Sequence, residues 1–174
     1  MKSKEIEKKF LMERYLNETQ ATAGKHSLVL VLDHLKESFN IGKIFRMSEI
    51  FSLQEIHLIG TKRFNPYPAK GAFKRVPCFF FDDINQSLNQ LLEQNYALFS
   101  FDLKAKACLH EASLPIKSAF LFGHEEFGVQ LKKSTMASHI TPLKIPQFGM
   151  TQSLNVSIAA SIASYEYLRQ NVLS

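Results

Sequence analysis

The stretch His26–Leu32, HSLVLVL, contains five consecutive apolar residues rich in β-branched side chains. It is too short for a free-standing helix, and it lacks the apolar–polar alternation of a half-solvated strand. Such a run is the mark of a strand buried on both faces, as in a parallel sheet. A strand of that kind obliges the rest of the chain to supply helices above and below it. Residues 41–52 have helical spacing, with Ile44, Phe45, Ser48 and Phe51 along one side, and Gln54–Ile59 (QEIHLI) then reads as a second strand closed by Gly60. Strand, helix and strand at this spacing predict a parallel pair joined by a right-handed crossover.

The alternation continues. Val76–Phe81 is a strand, and Ile84–Gln94 a helix with Leu88, Leu91 and Leu92 inward. Tyr96–Phe101 is a strand, 102–117 mixed loop and turn, Ser118–Phe122 a strand ending at Gly123, His139–Ile145 the last strand and Ser153–Gln170 a long helix. Residues 3–19 have Ile6, Phe10, Leu11, Arg14 and Tyr15 at i, i+4 spacing, an amphipathic helix that packs on the domain or on a partner chain. The fold class is therefore α/β, a parallel sheet with helices on both faces. A single domain over 25–174 follows an N-terminal amphipathic helix extension over 1–24. The 174 residues, 45% of them hydrophobic, suffice for one core.

Several classes fall away. No apolar run approaches the roughly 18 residues that cross a membrane, and the charged start MKSKEIEKKF has no signal-type apolar stretch. A cytoplasmic location with no membrane partner is expected. Cys78 and Cys108 make neither a zinc site nor a disulfide framework, no H-x-x-x-H or C-x-x-C pair exists, and no metal is expected. The G-x-G dinucleotide fingerprint, the G-K-[ST] phosphate loop and the G-x-S-x-G elbow are absent.

The net charge is +5, and Lys62, Arg63, Lys70, Lys74 and Arg75 lie in one acid-free segment that equals this excess. Phe64, Tyr67 and Phe73 are interleaved with them. Cations that meet phosphates beside rings that stack on bases fit an RNA-binding loop. A plain solvated basic loop fits the composition as well.

In open parallel sheets ligands bind beyond the carboxyl ends of the strands. Three such ends are notable. After the first strand comes S-F-N-I-G-K-I-F-R, where Asn40 suits a helix N-cap and Arg46 can lean back over the helix start to meet a phosphate or carboxylate. After Phe122 comes G-H-E-E-F-G, with Gly123 for a tight turn or close ligand approach and Glu125 as a hydrogen-bond acceptor. After Ile145 comes P-Q-F-G-M-T-Q-S-L-N-V-S, with Ser153 as a helix cap and the small residues Ser157, Ala159, Ala160, Ser161, Ala163 and Ser164 beyond it. Those small residues fit a subunit interface or an internal packing stripe equally. Taken singly, each segment also reads as an ordinary cap or polar turn.

Together and in this order, N-I-G-x-I-x-R, G-H-E-E-F-G and I-P-Q-F-G-M-T-Q-S-L-N-V-S-I-A resemble the three motifs of the SpoU (TrmH-like) branch of the SPOUT RNA methyltransferases, over about residues 26–170. Gln147 stands where the family usually has Met, and His124 where a small polar residue is frequent. The resemblance implies a deep trefoil knot and an obligate homodimer with the active site at its interface. It implies S-adenosyl-L-methionine as methyl donor, contacted at Gly123, Ile145 and Leu154. Catalytic positions carry over to Asn40, Arg46, Glu125, Ser153 and Asn155. The implied reaction is 2'-O-methylation of an RNA ribose. The third motif most resembles enzymes that modify a tRNA D-loop guanosine, which favours tRNA over rRNA. An rRNA enzyme of the same family, a catalytically silent knotted RNA-binding dimer, and a nucleotide-binding domain with a small-molecule substrate are the rival readings. The family's assignment of the arginine as general base is physically awkward for Arg46, because a guanidinium stays protonated. Orienting the hydroxyl and steadying its developing negative charge is the better expectation.

Overall fold

The computed structural model describes residues 3–36, 39–124, 128–129, 138–150 and 153–173. Its helices are α1 (Ser3–Gln20), α2 (Phe39–Ile50), α3 (Ile84–Glu93) and α4 (Val156–Asn171). The strands are β1 (His26–Asp33), β2 (Leu53–Ile59), β3 (Cys78–Phe81), β4 (Ala97–Phe101), β5 (Ala107–Cys108), β6 (Ser118–Phe122) and β7 (Ile140–Lys144). Single 3₁₀ turns cover Tyr67–Ala69, Ala72–Lys74 and Leu109–Glu111.

The seven strands lie in the order β3-β2-β1-β6-β4-β7-β5. Every ladder is parallel. β1 runs between β2 and β6, with Leu32 opposite both Leu58 and Phe122. Because all strands point the same way, the loops that follow β1, β4, β6 and β7 emerge at one edge of the sheet. That shared edge positions the site.

The double burial expected of the first strand is present. Leu28, Leu30 and Leu32 pack with Phe120, Phe122 and residues of α1, α2 and α4 on one face. Val29 and Val31 pack with Ala119, Leu121 and the α3 residues Leu88 and Leu91 on the other. The five apolar residues Leu28–Leu32 of β1 are fully buried, and each contributes about 1.5–3 kcal/mol of apolar transfer. The helix α4 is anchored through Tyr167, whose Oη donates to the Ile116 carbonyl at 2.7 Å. Burial pushes this phenol up to about 12.

Local departures from the sequence expectations have physical causes. In α1 the buried line is Phe10, Glu13 and Asn17, whereas Leu11 and Tyr15 are exposed. Polar residues face inward there because they have buried work. Asn17 Nδ2 donates to the Val76 carbonyl at 2.6 Å and to that of Phe73, and its Oδ1 accepts from Cys78 N at 3.2 Å. Asn40 lies inside the first turn of α2 and is not its cap. The cap of α4 is Asn155, two residues after Ser153, and it accepts from Ser157 N at 2.9 Å. Within the expected loop 102–117 a two-residue strand, β5, pairs with β7, too short to leave a pattern. The small residues Ser157, Ala160, Ala163 and Ser164 are buried within the chain. The exposed apolar stripe on α4 is instead Ile158, Ile162 and Tyr165.

The 61–77 segment differs most. Phe64 and Phe73 are core residues. Phe64 stacks on Phe45 of α2 at 5.3 Å between centroids, and Phe73 stacks on Phe10 of α1 at 5.6 Å. These two rings pin the segment to the domain and are unavailable to stack on bases.

Candidate active site

The first and third motif loops converge on a direct contact. Asn155 Nδ2 donates to Asn40 Oδ1 at 3.1 Å. Asn155 therefore acts twice, since its Oδ1 also accepts from Ser157 N and Oγ as the α4 cap. The bond draws the N-terminus of α4 to that of α2. Each helix start carries unpaired N–H groups and a partial positive charge, so two of them together form a natural seat for a phosphate or carboxylate.

Beside this contact is a cleft of about 120 Å³, lined by Phe101 at the end of β4, Asp102 and Leu103 after it, Ile145 and Gln147 after β7, and Ser153, Leu154 and Ala159. Three expected positions, Ile145, Ser153 and Leu154, thus share one cleft. Among the described residues the backbone groups of Ile145, Gln147, Ser153 and Leu154 take part in no backbone hydrogen bonds. Peptide groups that make no such bonds beside apolar walls can meet a purine edge or an amino-acid moiety. These residues fit S-adenosylmethionine as a ligand.

Gly123 is at the end of β6 but does not line the cleft. A Cβ on it would sit 2.0 Å from the backbone of Gly128 and Val129. The chain folds back there, with Gly128 N donating to the His124 carbonyl at 2.8 Å. Close approach of its own backbone requires a residue without a Cβ at this position. Gly42 of the first motif has a similar cause: its Cβ would meet Asn65 O at 3.0 Å and Ala69 N at 3.1 Å. The basic segment rests directly on α2 at that point.

Arg46 lies on the exposed face of α2, lines neither cleft, and makes no ion pair or hydrogen bond among the described residues. Glu125 lies outside the described residues. Of the five catalytic expectations, Asn40, Ser153 and Asn155 are brought together, and Arg46 is not joined to them by a contact. Of the basic residues, Lys62, Arg63, Lys70 and Arg75 are exposed and Lys74 is half-buried. Arg75 pairs with Glu49 of α2 at 3.1 Å and Arg63 with Glu7 of α1 at 3.8 Å.

Sequence reasoning missed Phe101, Asp102 and Leu103. They sit at the carboxyl end of a parallel strand, and that position alone could have drawn attention to them. It also missed a second cleft of about 450 Å³, lined by Phe51, Leu109, His110, Ile145, Pro146, Ser161, Ile162, Tyr165 and Glu166. Its carboxylate, Glu166, is held below the usual range chiefly by a hydrogen bond from Arg169. No metal-binding cluster occurs among the described residues, and no helix among them is long and apolar enough to cross a membrane.

Known proteins match this fold and these loops. The model of the SpoU rRNA Methylase family matches residues 27–165. A 23S rRNA (guanosine-2'-O-)-methyltransferase from Xylella fastidiosa is 27% identical over 92% of this chain and 66% of its own length. A tRNA (guanosine(18)-2'-O)-methyltransferase from Thermus thermophilus is 29% identical over 83% of this chain and 76% of its own. The SpoU methyltransferase AviRb from Streptomyces viridochromogenes, solved in complex with the cofactor AdoMet, superposes with a TM-score of 0.74 at 17% identity. That likeness covers 87% of this chain and 62% of AviRb, and it extends to the fold. The chain spans only part of the length of each of these relatives.

Proposed function

The chain belongs to the SpoU rRNA methylase family, and from that premise we propose that it transfers a methyl group from S-adenosyl-L-methionine to a ribose 2'-hydroxyl of RNA. The observation that carries the reading is the Asn155–Asn40 bond beside the cleft shared by Ile145, Ser153 and Leu154. The bound sulfonium supplies an already reactive methyl. As the oxygen–carbon bond forms, the carbon–sulfur bond breaks and the hydroxyl proton leaves to water. Ile145, Gln147, Ser153 and Leu154 offer backbone groups to the donor. The paired helix starts of α2 and α4 take a carboxylate or phosphate. Arg46, free of partners among the described residues, swings to the ribose oxygen, orients it and steadies its developing charge. Asn40, Asn155, Ser153 and Glu125 keep the loops in register. Most of the acceleration then comes from aligning hydroxyl and methyl in line. Gly123, at the end of β6, is the third donor-contact position of this reading, with Ile145 and Leu154.

The active unit in this reading is a homodimer with the family's trefoil knot. Ile158, Ile162 and Tyr165 on α4, Phe39 on α2 and Leu154 just before α4 are all exposed. An apolar patch of this extent calls for a cover, and a second copy brings its own identical patch in a two-fold contact. Lys62, Arg63, Lys70, Lys74 and Arg75 form the cationic surface for RNA. The substrate class is tRNA, with a D-loop guanosine favoured. The rRNA reading draws on the Xylella relative.

Labelled methyl transfer to unmodified tRNA and to unmodified rRNA, assayed side by side, tests this. Label in tRNA supports the full proposal, and label in rRNA alone moves the substrate. Donor binding with no label in either RNA removes the enzyme reading and leaves the silent RNA-binding dimer.

A further inference from the structure

The three rings of the basic segment divide in two. Phe64 and Phe73 are buried, whereas Tyr67 is 37% exposed. The core does not enclose this ring, yet the backbone that carries it is tied at both of its polar groups. Tyr67 N donates to Asn65 Oδ1 at 3.0 Å, and its carbonyl accepts from Lys70 N at 3.1 Å. Lys70 closes the turn in a left-handed conformation, φ 51°. The turn is seated on α2, where the absence of a Cβ at Gly42 lets Asn65 and Ala69 approach.

A second element reaches the same ring. Lys9 Nζ of α1 lies 5.1 Å from the Tyr67 ring centroid. That ammonium is itself positioned by the buried carboxylate of Glu13, 2.6 Å away. Its helix is pinned to the basic segment by Phe10 against Phe73 and by the Asn17 hydrogen bonds. The N-terminal helix and the 61–77 segment are thus one packed unit, with the Tyr67 ring and the Lys9 and Lys70 ammonium groups at its surface.

We propose that Tyr67, with Lys9 over its ring and Lys70 on the same turn, is a seat for an unpaired nucleobase of the bound RNA. This rests on the RNA reading above and adds to it a site that reads a base and not only phosphate. A ring stacks on any base, and its preset position lowers the ordering cost. Lys70 meets the flanking phosphate. The seat lies in α1 and the basic segment, apart from the cleft, so it selects RNA with an unstacked base and takes no part in methyl transfer itself.

Fluorescence anisotropy at low salt with the full chain tests it, using an oligoadenylate and an abasic ribose-phosphate oligomer of equal length. The wild type is expected to prefer the oligoadenylate by about tenfold, within the roughly five- to hundredfold range of one stacked base. Tyr67→Ala should erase the preference and leave affinity for the abasic oligomer unchanged, and Tyr67→Phe should keep the preference. If Tyr67→Ala retains the preference, or weakens both oligomers equally, the seat is refuted. A wild type that binds bulk tRNA but shows no preference refutes the seat alone. Binding to neither oligomer nor tRNA strikes the RNA reading, and the seat with it.

Discussion

Asn155 on the third motif loop and Asn40 on the first, 115 positions apart in the chain, share a 3.1 Å side-chain hydrogen bond. This bond sets how the starts of α2 and α4 sit relative to each other. Asn155 additionally caps α4, so the two residues have separable energetic roles. Asn40→Ala should cost at least about 0.5–1.5 kcal/mol, the net worth of the bond to Asn155. Asn155→Ala should cost about 1 kcal/mol more, because the cap is lost too. The double variant should fall short of the sum by about 0.5 kcal/mol or more. Denaturant unfolding of the four proteins checks this, and strict additivity would show that the contact carries no energy.

Phe73 and Lys74 are neighbours with opposite fates. Phe73→Ala empties part of the aromatic cluster around Phe10, Phe45 and Phe64 and should destabilise the fold by about 3–5 kcal/mol. Lys74→Ala together with Arg75→Ala should leave the melting temperature nearly unchanged and weaken RNA binding. It should also lower the salt slope by up to about 0.9 per lost phosphate contact. Donor binding should stay as it was. RNA affinity that is unaltered across a salt series clears these two cations of the role.

The fold was legible in the sequence wherever burial leaves a period. The apolar run of β1 announced a two-sided sheet, and the helical spacing of α2 and α3 located those helices. Legibility failed where a side chain's partner is distant in sequence. Nothing near Asn17 says that it bonds the backbone of residues 73, 76 and 78, so the inner face of α1 was misassigned. Nothing in a basic, aromatic-rich stretch tells which rings turn inward. Phe64 and Phe73 are buried because α1 and α2 both offer phenylalanines to meet them. At the site the ordered motifs singled out Asn40 and Asn155, which the fold joins by a hydrogen bond, and Ser153, which lines the adjoining cleft. The β4 end at Asp102 was invisible because it resembles any turn, with its carboxylate accepting from Lys104 N at 2.9 Å.

Ile158 is half exposed on α4 in the single chain. Ile158→Asp should therefore leave the monomer folded while introducing like charges at a two-fold contact. The expected outcome in sedimentation is a dimer for the wild type and a monomer for the variant, with transfer activity lost alongside. A wild type that sediments as a monomer contradicts the dimeric site.

The two thiols should differ in reactivity. Burial pushes the Cys78 thiol well up from its ordinary range, and little thiolate forms there. Cys108 is partly exposed. A thiol reagent at neutral pH should modify one cysteine per chain in the native protein and both after unfolding. Rapid modification of Cys78 in the native state would show that β3 opens readily.

Arg46 is exposed on α2 and has no partner among the described residues, so Arg46→Ala should shift stability by less than about 0.5 kcal/mol. It should nonetheless abolish nearly all methyl transfer and leave donor affinity intact. A parallel collapse of donor affinity would reassign Arg46 to donor binding.

The central claim is the chemical position of the methyl group. The most direct measurement is alkaline digestion of RNA labelled by the purified chain from S-adenosylmethionine. A 2'-O-methyl group blocks attack on the adjoining phosphodiester, so the label is predicted in alkali-resistant dinucleotides that yield a 2'-O-methylated nucleoside. Label released entirely as mononucleotides carrying a methylated base would contradict the account.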